Sequence, residues 1–218
     1  MVTTTSTTTQ QEVPGENRMV LKGVSWQTFK ALLADVGDDR AWRIAYDTGV
    51  LEIRMPHLEH EVPKGMIESF IEAIADEIEI EVMKAGSVTL EREDLTRAVE
   101  PDSCFYIQNE ASMRGKRDIR LPEDLPPDLA IESDYSNSSV NKEVLYSAIG
   151  VPELWRYRRQ SLQVYHLIEG KYERRDRSLA FPFLPVAEIP SFIEQSREIG
   201  QRAAVRLFRQ RIRELLPN

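Results

Sequence analysis

The spacing of hydrophobic residues predicts a short helix and a hairpin in the first quarter of the chain. Ser25 is a typical N-cap, and the apolar residues from there to Leu33 recur at helical spacing. Residues 43–46 and 50–54 are rich in β-forming side chains and are joined by Asp47-Thr48-Gly49. Because glycine readily takes the left-handed turn conformation, these two runs predict a β-hairpin.

Residues 60–84 form the clearest predicted helix. Isoleucine and phenylalanine recur at helical spacing between Ile67 and Ile78, so one face is expected to pack on a core. A row of acidic residues, the acidic stripe, lies about 100° away around the same helix. It consists of Glu68, Glu72, Asp76 and Glu79. The stripe is predicted to be a solvated face, with an oligomer contact as the alternative.

The rest of the chain alternates strands with helices. Predicted strands cover residues 87–92, 104–107, 129–132, 154–158, 162–168 and 171–175, and predicted helices cover residues 139–149 and about 191–216. We expect the first three strands to be neighbours in one sheet, with helices on its faces. The connection 109–127 is long and basic, and loops of that length are usually functional or mobile.

Composition favours one domain with an extension. With 218 residues and 41% hydrophobic content, the chain can bury one good core but is short for two. Residues 1–18 are poor in apolar side chains and predict a disordered tail, which leaves residues 19–218 as a single domain. No signal peptide or membrane-spanning run is apparent, and Cys104 alone supports neither a disulfide framework nor a cysteine-rich zinc site. We therefore expect a cytoplasmic protein without membrane contact.

The charge of the chain argues weakly against nucleic-acid binding. A net charge of −8 disfavours a general polyanion binder, because neutralisation of phosphates drives non-specific affinity. Twelve acidic and four basic residues lie between Glu52 and Asp94, however, and they account for the whole excess. The basic clusters at residues 114–120, 156–159 and 197–213 could therefore still bind a nucleic acid.

Acidic residues in predicted strands are the strongest chemical signal. Asp102 and Asp128 each follow a proline at the start of a strand, which also fits ordinary turn caps, whereas Glu132 lies deep in an apolar strand. Carboxylates gathered at neighbouring strand ends repel each other unless a cation holds them. Mg²⁺ is suited to such a place, since it binds through one or two carboxylates plus water and substrate phosphate. It could there activate water to cleave a phosphodiester.

Lys142 adds a basic group beside these carboxylates. It lies in the first turn of the predicted helix 139–149, where a cation opposes the helix dipole at a cost of about 0.3–1 kcal/mol. Such a local conflict is expected at functional sites. An ordinary exposed lysine is the alternative, but a lysine near a scissile phosphate can stabilise charge in the transition state.

Several short motifs, in their order and spacing, resemble one family. They are Leu51-Glu52-Ile53, Met55-Pro56, Glu59-His60-Glu61, Glu100-Pro101-Asp102 with Phe105-Tyr106, residues 127–132, Lys142 with Tyr146, and residues 150–155. The set resembles the Uma-type putative restriction endonucleases, long catalogued as a domain of unknown function, over roughly residues 25–183. The resemblance implies the PD-(D/E)XK nuclease superfamily and an α/β fold, a restriction-endonuclease-like mixed sheet flanked by helices, with an N-terminal β-hairpin.

The resemblance also implies roles for individual residues. Asp102 and Glu132 would be the metal-binding and catalytic carboxylates, with Mg²⁺ as cofactor and Mn²⁺ as an alternative, and Lys142 would be the catalytic lysine. Asp128 and His60 are implied as supporting residues.

One departure from the superfamily pattern concerns position 134. A lysine usually stands two residues after the acid, and this chain has Asp134 there. Lys142 on the adjoining helix must then supply the amine. If it does not, the site is inactive or uses Asp134 as a further supporting ligand.

Two functions from different classes follow. The leading hypothesis is a metal-dependent endonuclease acting on nucleic acid, with DNA favoured, and a homodimer if both strands of a duplex are cut. Its expected substrate contacts are Arg114, Lys116, Arg117, Arg156 and Arg158. The alternative is a catalytically inactive nuclease-fold protein that acts as a binding or oligomeric assembly module. Its amphipathic C-terminal helix could dock on a second subunit, for example on the acidic stripe. A glycosidase-type carboxylate pair is disfavoured, because nothing resembles an aromatic sugar platform.

Overall fold

The computed structural model describes residues 18–37, 40–55, 58–133 and 138–216, with the backbone alone at residues 59 and 60. Residues 1–17 of the predicted tail lie outside the described residues, and Arg18 already begins the first strand. The described residues form two β-sheets and six α-helices. None of these helices is both long and apolar enough to cross a membrane.

The elements follow one another in mixed order along the chain. The strands are β1 (Arg18–Lys22), β2 (Arg43–Asp47), β3 (Val50–Arg54), β4 (Met83–Lys84), β5 (Leu90–Arg92), β6 (Arg97–Val99), β7 (Ser103–Tyr106), β8 (Leu129–Ser133), β9 (Glu153–Arg158), β10 (Ser161–Ile168) and β11 (Lys171–Arg175). The helices are α1 (Trp26–Val36), α2 (Leu58–Glu77), α3 (Glu110–Met113), α4 (Lys142–Ile149), α5 (Ile189–Ile199) and α6 (Gln201–Leu215).

The first sheet is antiparallel, with the strand order β1-β3-β2-β6-β5. β2 and β3 are the predicted hairpin, and Thr48 and Gly49 in its loop have φ angles of 42° and 100°, as a type I′ turn requires. Helix α1 begins where predicted, since the Ser25 hydroxyl accepts the Thr28 N–H at 3.1 Å. Phe29 of α1 stacks on Tyr46 of β2, which fixes the helix on this sheet.

The second sheet has the order β11-β10-β9-β8-β7-β4. β8 and β9 are parallel and the other pairs are antiparallel. Parallel neighbours need a crossover connection, and α4 supplies it between β8 and β9. The mixed sheet flanked by helices is therefore confirmed. The expectation that residues 87–92 neighbour residues 104–107 was wrong, because β5 pairs with the unpredicted strand β6 in the first sheet.

The long helix ends earlier than its hydrophobic spacing predicts. α2 stops at Glu77, Glu79 takes a left-handed φ of 55°, and Met83 then pairs with Tyr106 at the edge of the second sheet. A sheet edge offers Met83 and Lys84 backbone hydrogen bonds, and the helical period of the sequence carries no information about that edge.

The C-terminal region consists of two helices rather than the one predicted. Gly200 separates α5 from α6 with a φ of 87°, a left-handed conformation that glycine adopts readily. α6 packs on α2 of the same chain, with Phe208 and Phe70 ring centroids 4.4 Å apart. The expected docking partner in a second subunit is therefore found within the chain.

The acidic stripe has partners within the chain and is not a purely solvated face. Lys84 pairs with Glu68 and Glu72, while Arg209 of α6 pairs with Asp76. Beside the stripe, Glu77 accepts hydrogen bonds from Arg209 and Arg213, each at 2.6 Å. These ion pairs join the two helices at the rim of their apolar contact.

Glu77 should make the docking of α6 sensitive to acid. The hydrogen bond from Arg213 lowers the pKa of Glu77 below its ordinary 4.5, and Arg209 adds to this against the opposing effect of burial. Its contribution to stability is therefore complete above pH 4.5 and is lost as the pH falls through the lowered pKa. We expect Glu77→Gln to cost about 0.5–1 kcal/mol in urea unfolding at pH 7, and progressively less below pH 4.5.

Glu173→Gln is the matched control, because Glu173 pairs with Arg175 on the surface of a single strand. Its cost should stay within about 0.5 kcal/mol at every pH. A Glu77→Gln cost that does not change between pH 7 and pH 3 would contradict the prediction.

Candidate active site

The antiparallel pairing of β7 and β8 brings two predicted site residues together. Asp102 directly precedes β7, and Glu132 is the second-last residue of β8, so both lie at the same end of the strand pair. The Asp102 N–H donates to the Ile131 carbonyl at 3.1 Å, and the Ser133 N–H donates to Asp102 Oδ2 at 2.6 Å. The backbone of β8 thus fixes the Asp102 carboxylate beside Glu132.

Arg54 comes to the same place from the first sheet. Its Nη2 forms an ion pair with Asp102 Oδ1 and lies 3.9 Å from Glu132 Oε2. The chain crosses from β6 to β7 through Glu100, whose N–H donates to the Ile44 carbonyl of β2 at 3.0 Å. The site therefore lies where the two sheets meet.

Helix α4 contributes the third part of the site. The Asn141 side chain caps it by accepting the Glu143 N–H at 3.1 Å, which fixes where the helix begins. Lys142 and Tyr146 are four residues apart and share one face. Lys142 Nζ donates to Glu132 Oε2 at 2.5 Å, and the Tyr146 hydroxyl donates to Glu132 Oε1.

These five residues form a buried charged cluster, made of Arg54, Asp102, Glu132, Lys142 and Tyr146. Burial would raise the pKa of Asp102, but the charges of Arg54 and Lys142 outweigh it and hold that pKa below its usual range. Burial, and then the negative charge of Glu132, raise the pKa of Tyr146 well above its usual value. Tyr146 therefore stays neutral. The cluster thus combines the carboxylates of Asp102 and Glu132 with the basic side chains of Arg54 and Lys142.

The oxygens of the cluster suit a hard divalent cation. Mg²⁺ and Mn²⁺ prefer oxygen ligands, and Mg²⁺ is often held by only one or two carboxylates together with water. Asp102 and Glu132 supply such a pair, while a closed zinc site would need four ligands. Within the described part of the chain, no three His, Cys, Asp or Glu residues are grouped to hold a metal. Asp102 and Glu132, which pair with Arg54 and Lys142 in this structure, are thus the residues that could hold a magnesium-type ion.

A surface cavity of about 420 Å³ gives access to the cluster. Glu132, Lys142 and Arg156 line it together with Ser138 and Ser139. Lys142 is 11% exposed and Glu132 only 1%, so the amine is the more accessible of the two charges. Buried Glu52 holds the two serines in place, since it accepts hydrogen bonds from the Ser138 hydroxyl at 2.8 Å and the Ser139 N–H at 2.6 Å.

Asp128 lies at the other end of β8 and serves a different purpose. In an antiparallel pair the start of one strand meets the end of the other, so Asp128 meets the residues that follow β7. Its carboxylate accepts the Ile107 N–H at 2.6 Å and both the N–H and the side-chain amide of Asn109. These contacts fit the turn-cap interpretation and leave Asp128 outside the charged cluster.

The other two predicted supporting residues are His60 and Asp134. The His60 backbone lies in the first turn of α2, and its side chain is outside the described residues. Asp134 also lies outside them.

The predicted nucleic-acid contacts fall into two regions. Arg156 lines the cavity of the charged cluster and pairs with Glu143 at 2.8 Å, and Arg158 lies two residues further along β9. Lys116 and Arg117 line a second, larger cavity of about 1040 Å³. Arg114 pairs with Glu110 of α3 at 2.6 Å, and Lys116 pairs with Asp124. Arg156 is thus the basic candidate that shares a cavity with Glu132 and Lys142.

Comparison with known proteins agrees with this architecture. Residues 26–196 match the Uma2 family, described as "Putative restriction endonuclease". The chain belongs to the Uma2 family. A crystal structure of a putative nuclease belonging to DUF820 from Anabaena variabilis ATCC 29413 aligns with this Uma2 chain at a TM-score of 0.51 and 15% identity. The alignment covers 84% of this chain and 99% of that one, and at this identity it shows a shared fold alone. None of the curated proteins matches the chain.

Sequence reasoning missed two members of the cluster in this Uma2 protein. The predicted site residues do not include Arg54, and Tyr146 enters only through the family resemblance. A signal for Arg54 was present, because strand alternation places it on the same face as Glu52 in a run that is otherwise apolar. Two charges on one face of a short apolar strand indicate buried ion pairs.

Proposed function

We propose that this protein is a metal-dependent endonuclease that hydrolyses phosphodiester bonds, with DNA as the favoured substrate. The observation that carries the proposal is the convergence of Asp102, Glu132 and Lys142 in one cluster, of which Glu132 and Lys142 line a surface cavity. The family description as a restriction endonuclease supports both hydrolysis of nucleic acid and the choice of DNA.

Four residues of the cluster have a task in this proposal. Asp102 and Glu132 would hold Mg²⁺ or Mn²⁺, which when bound would activate water and neutralise charge on the phosphate. Lys142 projects from α4 towards the cavity, where its ammonium can donate to a phosphate oxygen or orient water. Tyr146 keeps Glu132 oriented, because its neutral hydroxyl occupies Oε1.

Arg156 is the nearest candidate for substrate binding. It shares the cavity with Lys142, and its guanidinium can bind a phosphate through two parallel hydrogen bonds once it leaves Glu143. Lys116 and Arg117 lie at the larger cavity and would contact a more distant part of the same substrate. Such phosphate contacts predict cleavage that weakens as salt concentration rises.

Lys142→Gln tests the proposal directly. We expect purified wild-type protein to cleave DNA in Mg²⁺ or Mn²⁺ but not in EDTA, and the variant to lose about 10²–10³-fold in rate with its fold retained. Duplex DNA, single-stranded DNA and RNA should be compared in the same gel assay, which also identifies the preferred substrate. Lys30→Gln is the surface control, because Lys30 pairs with Glu91 and neither residue belongs to the charged cluster or lines its cavity. Cleavage by Lys142→Gln at the wild-type rate would reject the proposal.

A non-catalytic module is the second candidate, and the charge balance of the cluster favours it. Two buried carboxylates that face a buried arginine and a partly buried lysine can serve structure alone. The C-terminal helix no longer supports this alternative, because α6 docks on its own chain. Calorimetry with Mn²⁺ separates the two candidates, since a structural cluster should show no binding that Asp102→Asn abolishes.

A further inference from the structure

Each of the two carboxylates of the charged cluster has one neutral donor and at least one cationic neighbour. One oxygen of each has a neutral donor: Asp102 Oδ2 accepts the Ser133 N–H at 2.6 Å, and Glu132 Oε1 accepts the Tyr146 hydroxyl. Asp102 Oδ1 forms an ion pair with Arg54 Nη2. Glu132 Oε2 accepts Lys142 Nζ at 2.5 Å and lies 3.9 Å from the same Arg54 nitrogen. Arg54 Nη2 therefore lies within ion-pair distance of both carboxylates, and Lys142 is a second cation on Glu132.

Arg54 is held in this place by the fold. It is 2% exposed, and a buried guanidinium is costly unless acids compensate it. Its cross-strand neighbours are Arg18 on β1 and Arg43 on β2, so like charges adjoin it on both sides. Asp102 and Glu132 offset both costs, and the three groups therefore depend on one another.

We infer that Arg54 is an internal counter-ion that competes with the divalent cation for Asp102 and Glu132, so that the cation concentration sets the occupancy of the site. The inference rests on the proposed function, since the cation belongs to it. A cation that binds these oxygens is repelled by the positive charge of Arg54. The ion pairs of Arg54 with the two carboxylates must then break. The protein thus keeps its carboxylates in position without a metal, and it binds the metal more weakly as a result.

Arg54→Met tests the inference, because methionine fills much of the same space without the charge. Calorimetric titration with Mn²⁺ should give a dissociation constant at least about tenfold lower for the variant than for wild type. The melting temperature of the variant should fall in EDTA and recover strongly on addition of Mn²⁺, whereas that of wild type should change little. Arg40→Met is the matched control, since Arg40 is buried in an ion pair with Glu100 and makes no contact with Asp102 or Glu132 among the ion pairs given by the described residues.

Each outcome is decisive. Tighter Mn²⁺ binding in Arg54→Met but not in Arg40→Met supports the inference, as does an Arg54→Met protein that folds only with Mn²⁺. If Arg54→Met does not fold in either condition, Arg54→Gln decides, because glutamine removes the charge but can still donate hydrogen bonds in a buried place; unchanged affinity in it overturns the inference. Equal affinity in wild type and Arg54→Met, with binding that Asp102→Asn abolishes, overturns the inference and leaves the proposed function intact. Absence of Asp102-dependent binding in every variant overturns both.

Discussion

Glu132→Gln should reduce the rate of DNA cleavage by at least about 10²-fold while the protein stays folded. The amide keeps the shape of the side chain and can still accept the Tyr146 hydroxyl, but it lacks the charge that pairs with Lys142 and would bind a cation. The loss should therefore appear in kcat and in Mn²⁺ affinity. Single-turnover cleavage at saturating Mg²⁺, together with calorimetry, measures both quantities.

Glu153→Gln is the matched control for this experiment. Glu153 lies on the neighbouring strand β9, is also 1% exposed, and accepts the Trp155 indole N–H at 2.7 Å and the Leu179 N–H at 3.0 Å. Its replacement disturbs a buried carboxylate without touching the charged cluster. Equal losses of cleavage in both variants would mean that general destabilisation, rather than chemistry at Glu132, causes the effect.

Phe208→Ala should have the largest effect on stability, a loss of about 3–5 kcal/mol in the free energy of unfolding. Phe208 is 1% exposed and packs against Phe70 of α2 and Phe192 of α5, with ring centroids 4.4 and 5.3 Å away. Removing the ring leaves a cavity where three helices meet, and rigid helices can close it only partly. Urea unfolding followed by circular dichroism measures the loss.

The adjacent Leu207 provides the control for Phe208. It is 42% exposed on the same helix, so Leu207→Ala should change the free energy of unfolding by no more than about 0.5 kcal/mol. Similar losses in the two variants would show that α6 is not docked on α2 in solution.

The candidate site was predictable only where the signal was local. Asp102 and Glu132 stood out because charged side chains interrupt apolar strand patterns, and Lys142 because it opposes a helix dipole. Asp128 carried the same local signal as Asp102, yet the pairing of β7 with β8 places it at the opposite end. Sequence alone therefore could not separate a turn cap from a member of the cluster.

The arrangement of the helices shows the same limit. The apolar stripe of the C-terminal region predicted a helix that packs on something, and the acidic stripe of α2 predicted a possible partner. Both expectations describe a single contact within one chain. A periodic pattern specifies which face is buried, but it does not specify whether the covering surface belongs to the same molecule.

The sequence by itself determined the hairpin β2-β3, the first helix and its cap, the strands around Glu132, and the family, because each of these depends on residues close together in the chain. Only the tertiary structure decided that two separate sheets form, that Arg54 lies within ion-pair distance of Asp102 and Glu132, and that the Tyr146 hydroxyl donates to Glu132. These contacts join residues 14 to 78 positions apart, and their geometry follows from strand pairing and packing. Local propensity and periodicity do not predict such pairings. They indicate the type of each element and which of its faces is buried, but not which residues cover that face.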